Sequence, residues 1–184
     1  YNPHVLRHYL AGIQFALADL DATVTAENPI PLQAAAQGLR GYITTLPPES
    51  SEMRRARHET IARRRVGPVV IVHRGAWAFA PENTLEAYSA AMDHGADGCE
   101  IDLRRTNDGV LVMFHDDGMD RMTDALGRIN QHSYAELLAI PFRSVYKAKP
   151  DTRIPTLASV LELARERAML LHLDVKEPGL EEDI

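Results

Sequence analysis

The sequence predicts an α/β protein in which a helical segment, residues 1–65, precedes a mainly parallel sheet with helices on its outside, residues 66–184. Three observations carry this expectation. Before residue 65, apolar residues recur at spacings of three and four, the period of a helix that buries one stripe. After Gly67, β-branched runs of strand length alternate with stripes of helix length, the order that builds a parallel sheet. In two of those runs the polar residues fall at every second position, which gives each strand one charged and one apolar face.

The elements follow in order. Leu6, Leu10, Ile13, Leu17 and Leu20 draw the first helical stripe, and Leu32, Ala35, Ala36, Leu39 and Ile43 draw a second after Pro31, a residue favoured at a helix start. Pro47 and Pro48 end that pattern, and Glu49 to Arg65 is polar and basic. Such a stretch is expected as a solvated helix or linker, with contact to an anionic surface as the alternative. PVVIVHRG reads as the first strand, closed by Gly75. NTLEAYSAAMDHG reads as a helix with Asn83 or Thr84 as its cap and Gly95 at its end. GCEIDLRRT and VLVMFHD are the next strands, joined by the turn dipeptide Asp108-Gly109. Gly118 to Arg153 is less regular, with a capping box at Ser133 to Glu136. A helix from about Thr156 to Arg167 and the strand MLLHLDV complete the chain.

Composition narrows the function. The 184 residues are 45% hydrophobic and 25% charged, as in an ordinary globular domain. A net charge of -6 argues against a general nucleic-acid binder, whose affinity comes from Lys and Arg neutralising phosphates. No apolar run approaches the roughly 20 residues that cross a bilayer, so stable membrane insertion is not expected. Cys99 is the single cysteine and leaves the redox compartment open. The chain begins with Tyr1 and reads as a processed protein or a cut fragment.

Chemistry-bearing residues collect on the strands. Glu100 and Asp102 project from one face about 6.6 Å apart along the strand, with Ile101 and Leu103 on the other. Paired carboxylates repel unless something positive sits between them, and hard divalent cations take such oxygen ligands. In the last strand His172, Asp174 and Lys176 share a face. An Asp174-Lys176 ion pair would satisfy that face, as would a site holding cation, carboxylates and phosphate. His73 and His115 close the first and third strands, and carboxyl ends of parallel strands gather at one rim. Histidine is the natural acid or base near neutral pH, and Arg74 offers a planar fork of donors to phosphate oxygens.

Together VHRGAWAFAPENTLEAY, GADGCEIDLRRTNDGVLVMFHDD, RIPTLASVLELA and LHLDVKEP resemble the glycerophosphodiester phosphodiesterase family in order and spacing, over about residues 67 to 178. The resemblance implies a TIM-type β/α barrel, of which this chain would hold the N-terminal half with the first four strands. It implies metal-dependent hydrolysis of small glycerophosphodiesters to glycerol 3-phosphate and an alcohol. His73 and His115 become the acid/base pair; Glu100, Asp102 and Asp174 become ligands of a Ca2+ or Mg2+ ion. Arg74 and Lys176 become phosphate contacts, and Gly118 to Arg153 matches the family's insertion. Asp174 stands where the family usually has Glu, one methylene longer. Glu82 either steadies the site or caps a helix, and Trp77 either lines the pocket mouth or packs. Two other readings stand beside this one, a phosphate- or metal-binding protein without turnover and a related phospholipase acting on lipid headgroups. The helices of residues 1–65 are candidates for self-association.

Overall fold

A computed structural model of the chain describes residues 49–64 and 67–180. The two N-terminal stripes, and the self-association expected of them, lie outside the described residues. Element order is α1 Ser51–Arg64, β1 Ile71–Val72, α2 Leu85–Asp93, β2 Gly98–Arg105, β3 Leu111–Met113, α3 Tyr134–Leu138, α4 Leu157–Arg167 and β4 Leu170–Val175. Among the described residues no helix is long and apolar enough to cross a membrane.

β2 is the centre of the sheet. β1 pairs parallel with its start, Ile71 opposite Gly98, and β4 runs parallel along it from Gly98–Leu170 to Leu103–Val175. Gly98 is required there, because a Cβ would lie 2.1 Å from the Leu170 carbonyl oxygen. β3 pairs antiparallel with the far end of β2, Leu103 opposite Met113. The amide of Phe114 donates to the carbonyl of Asp102 and that of Lys176 to the carbonyl of Leu103. Successive carbonyls point to opposite edges of a strand, so β3 continues along the edge that β1 begins, with β4 on the other side.

The sheet has the expected four strands, and one of them differs in direction from a parallel barrel. Three strands are parallel, and β3 is a hairpin return because Gly109, at φ +85°, lets the chain reverse after β2. His115 therefore does not end a parallel strand. It is carried back towards Asp102 by an antiparallel one.

α2 and α4 cover one face of the sheet, where Ile101, Leu103 and Leu171 pack with Tyr88, Ala91, Val160 and Leu161. Thr84, not Asn83, caps α2 by accepting from the Ala87 amide. Ser133 and Glu136 form the expected capping box of α3, and Thr156 caps α4. The irregular stretch has its own small core, in which Val112 and Phe114 pack with Met119, Met122, Ile129, Leu137, Phe142 and Ile154. That core holds the hairpin and the insertion together as one block.

α1 is the solvated basic helix, with no buried residue. Its last residue is nonetheless anchored. The Arg64 guanidinium donates to the carbonyls of Asp97 at 3.0 Å, Ala168 at 2.8 Å and Arg167 at 2.8 Å. Two of these carbonyls end α4, where a positive charge also meets the negative end of the helix dipole.

Candidate active site

The uncovered face of β2 carries Glu100 and Asp102, and the register sets them beside His172 and Asp174 of β4. One oxygen from each of Glu100, Asp102 and Asp174 lies within 4.8 Å of the others. Burial and the neighbouring Asp102 charge push the Glu100 carboxyl up to about 7. Burial also opposes the charge of Asp102, yet hydrogen bonds from Lys176 and Asn83 and the charges of Lys176 and Arg74 hold it below the usual carboxylate range. Lys176 Nζ stands 2.9 Å from Asp102 Oδ1, Arg74 Nε 3.2 Å from Oδ2, and Asn83 Nδ2 donates to Oδ2 at 2.6 Å. Three converging carboxylates, one of them destabilised as an anion, are the hard-oxygen donor set that a divalent cation takes. The residues present fit such an ion.

A cavity of about 370 Å3 opens on this face, lined by Ile71, His73, Glu100, His172 and Asp174. His73 is thus brought together with two of the carboxylates. His172 belongs to the same wall, and burial lowers its pKa. His115 is not one of the wall residues. Its backbone carbonyl accepts from Arg104 Nε at 3.1 Å and Nη2 at 2.7 Å, and its ring Nδ1 lies 2.6 Å from Asp116 Oδ1. From there charge pairs run without a break back to the carboxylates: Asp116 to Arg121, Arg121 to Glu82, Glu82 to Arg74, and Arg74 to Asp102.

The two residues expected to bind phosphate are both engaged with carboxylates. Arg74 is shared between Glu82 and Asp102, and Lys176 bridges Asp102 and Asp174. The Asp174-Lys176 ion pair is present, and it lies among the converging carboxylates. Glu82 caps no helix; it joins Arg74 to Arg121. Trp77 is 69% exposed in the loop after β1.

Four residues with positions in this network were not singled out from the sequence for it. Asn83 reads in the sequence as a helix cap, but it sits at φ +58° and its Oδ1 accepts from Tyr88 Oη and from the Asp102 amide. Asp116 and Arg121 have no periodic signal to mark them. Arg104 alternates with Asp102 along β2, which places it on the same face, and that alternation is the one hint the sequence held.

These features define a class, an α/β protein whose parallel strands present a carboxylate site and histidines on the face away from the helices. The sequence model of the Glycerophosphoryl diester phosphodiesterase family matches residues 73–184, and the chain belongs to that family. Glycerophosphodiester phosphodiesterase of Caldanaerobacter subterraneus is 37% identical over 122 residues, covering 63% of this chain and 50% of the relative. The enzyme of that name from Bacillus subtilis is 33% identical over 129 residues, covering 63% of this chain and 44% of its own length. Among solved structures, an Oleispira antarctica phosphodiesterase in complex with the product sn-glycerol-3-phosphate is similar at 39% identity and a TM-score of 0.57, over 63% of this chain and 48% of that one. A glycerophosphodiester phosphodiesterase from Agrobacterium tumefaciens matches at 32% identity and a TM-score of 0.55, over 59% of this chain and 47% of that one. The fold is accordingly TIM-barrel-like α/β. The chain spans about half the length of the curated relatives it matches.

Proposed function

We propose that the protein hydrolyses glycerophosphodiesters to glycerol 3-phosphate and an alcohol, using a divalent cation, Ca2+ or Mg2+, and two histidines. The observation that carries this reading is the convergence of Glu100, Asp102 and Asp174 within 4.8 Å, with His73 lining the same cavity as Glu100 and Asp174. Family membership and the product complex of a relative support the substrate class.

Glu100, Asp102 and Asp174 would hold the cation, which supplies positive charge to the phosphoryl oxygens. Asp102 is kept ionised for that task by Lys176, Asn83 and Arg74. Arg74 and Lys176 are the cations at hand for the remaining phosphate oxygens, Arg74 through its planar fork and Lys176 as a point charge. His73 and His115 divide the proton transfers. One takes the proton of the attacking water or glycerol hydroxyl, and the other gives one to the departing alkoxide. Asp174 is half-exposed at the cavity wall, so the ion would be held most firmly from the β2 side.

The test is release of glycerol 3-phosphate from several glycerophosphodiesters by the full-length protein, with and without chelator. The proposal expects metal-dependent release, reduced about 100-fold or more by His73→Ala and by His115→Ala. Binding of substrate without release would favour the non-catalytic reading. Release only from lipid substrates presented in vesicles would favour the headgroup phospholipase.

A further inference from the structure

We propose that Arg121 is a positioning residue, which fixes the His115 imidazole by clamping Asp116 against it. The inference rests on the reading of His115 as an acid/base group. It adds how that ring is held and by which residue.

Asp116 is the partner of the ring. Burial opposes its charge, but hydrogen bonds from Arg121 and His115 hold its carboxyl below the usual range. It is therefore an acceptor only, so the 2.6 Å contact to His115 Nδ1 must be donated by the ring. A neutral His115 then carries its proton on Nδ1 and presents a bare Nε2 lone pair. Alone, Asp116 would hold this poorly, because a partly exposed carboxylate turns about its own side-chain bonds and trades the ring for water.

Arg121 removes that freedom. Its Nε donates to the second oxygen of Asp116, Nη2 donates to Glu82, and Nη1 contacts the Met122 sulfur at 3.0 Å. Both oxygens of Asp116 are then committed, one to the ring and one to a rigid fork. The fork is itself tied down, since Glu82 accepts from Arg74 Nη1 at 3.1 Å while the Arg74 amide donates to Glu100 at 3.0 Å. Arg121 thus joins the loop after β3, which carries His115, to the loop after β1, which follows His73. A lysine at this place is a point charge and cannot serve both carboxylates with a fixed plane. An acid/base group must hold both its tautomer and its aim to within hydrogen-bond reach of the proton it moves, and this clamp supplies both.

The test uses the full-length protein labelled with 15N in the histidine rings. Two-bond 1H–15N correlation spectra at a pH where the ring is neutral report the tautomer, and the His115 signal is assigned by its absence in His115→Asn. Wild type should give the Nδ1–H form. Arg121→Ala and Asp116→Ala should each convert His115 to a mixture dominated by the Nε2–H form that free imidazole favours, and Arg121→Lys should be intermediate. Thermal unfolding of each variant excludes a merely unfolded loop. In turnover, Arg121→Ala should lower kcat about 10- to 100-fold with little change in KM. The double variant Arg121→Ala/Asp116→Ala should be no slower than Asp116→Ala alone, since the arginine acts through the aspartate. An unchanged Nδ1–H signal in folded Arg121→Ala, or losses that multiply in the double variant, would overturn the proposal. The tautomer measurement needs no turnover. A protein inactive on glycerophosphodiesters would therefore defeat the proposed function and still leave the clamp to be decided by the spectra.

Discussion

Along β2, Ile101 and Leu103 enter the helix-packed core, whereas Glu100 and Asp102, offset by one residue, meet Asp174, Lys176 and Arg74 on the other face. Burial does not separate the two sets, for Ile101, Leu103 and Asp102 are all at 0% exposure. Their partners do. The outer pair rests on Tyr88, Val160 and Leu161, and its removal from water stabilises the fold by about 1.5–3 kcal/mol for each side chain. The inner pair is buried among charged and polar groups. Asp102 is compensated by Lys176, Arg74 and Asn83, while Glu100 is left with its charged form disfavoured. One strand thus separates the work by parity, with stability on the odd positions and an electrostatic demand on the even ones.

That contrast is open to direct breakage. The largest effect is expected from Ile101→Asp, which moves a charge to a face whose described packing partners, Tyr88, Val160 and Leu161 among them, are apolar. A loss of about 4–5 kcal/mol or more, or failure to fold, is the expected outcome in denaturant titration. A folded protein of near-normal stability would mean that the helix-covered face tolerates charge. Next in size, Leu103→Ala leaves a cavity and should cost about 2–5 kcal/mol. Cation affinity in the folded fraction should not change, because Leu103 lies on the opposite side of the strand.

A smaller and more specific effect lies in pH. The Glu100 pKa is raised from 4.5 to about 7 in the fold, so between those values the native state holds more protons than the unfolded chain. The contribution of Glu100 to the stability of the cation-free protein should then fall as pH rises through that window, against the opposite slope of His172, whose lowered pKa leaves the unfolded chain with more protons below 6.5. Asp102 and Asp116 have lowered pKa values, and their contributions are lost only at lower pH, below the unfolded carboxylate range. Relative to Glu100→Gln, urea midpoints of wild type measured from pH 4.5 to 7 should decline. Parallel curves would show that Glu100 is not the group responsible.

How much of this was legible in the sequence follows from the range of each interaction. The alternation of Glu100, Ile101, Asp102 and Leu103 is a local pattern, and it assigned both faces of β2 correctly. Gly95, Ser133 and Thr156 likewise announced helix ends through chemistry contained within a few residues. The direction of β3 is half legible: Asp108-Gly109 marks a hairpin, but the position of His115 at a strand end reads equally as the end of a parallel strand. It reaches the site's neighbourhood for a different reason, the antiparallel return. Asn83 looked like a cap because Asn is a good cap, and only the fold puts it 2.6 Å from Asp102, 19 residues away. Arg121 is 39 residues from Glu82, and nothing periodic links the two. Long-range charge pairs of this kind depend on how loops meet, which sequence spacing does not encode.

The central claim is that the carboxylates of β2 and β4 jointly hold one divalent cation. Calorimetric titration of Ca2+ and of Mg2+ into the chelator-treated full-length protein at pH 8 tests it most directly, with Glu100→Gln and Asp102→Asn alongside. One equivalent of ion should bind wild type, and each variant should bind about 100-fold more weakly or not at all. Wild type that takes up neither ion, or variants that bind as tightly as wild type, would contradict the account.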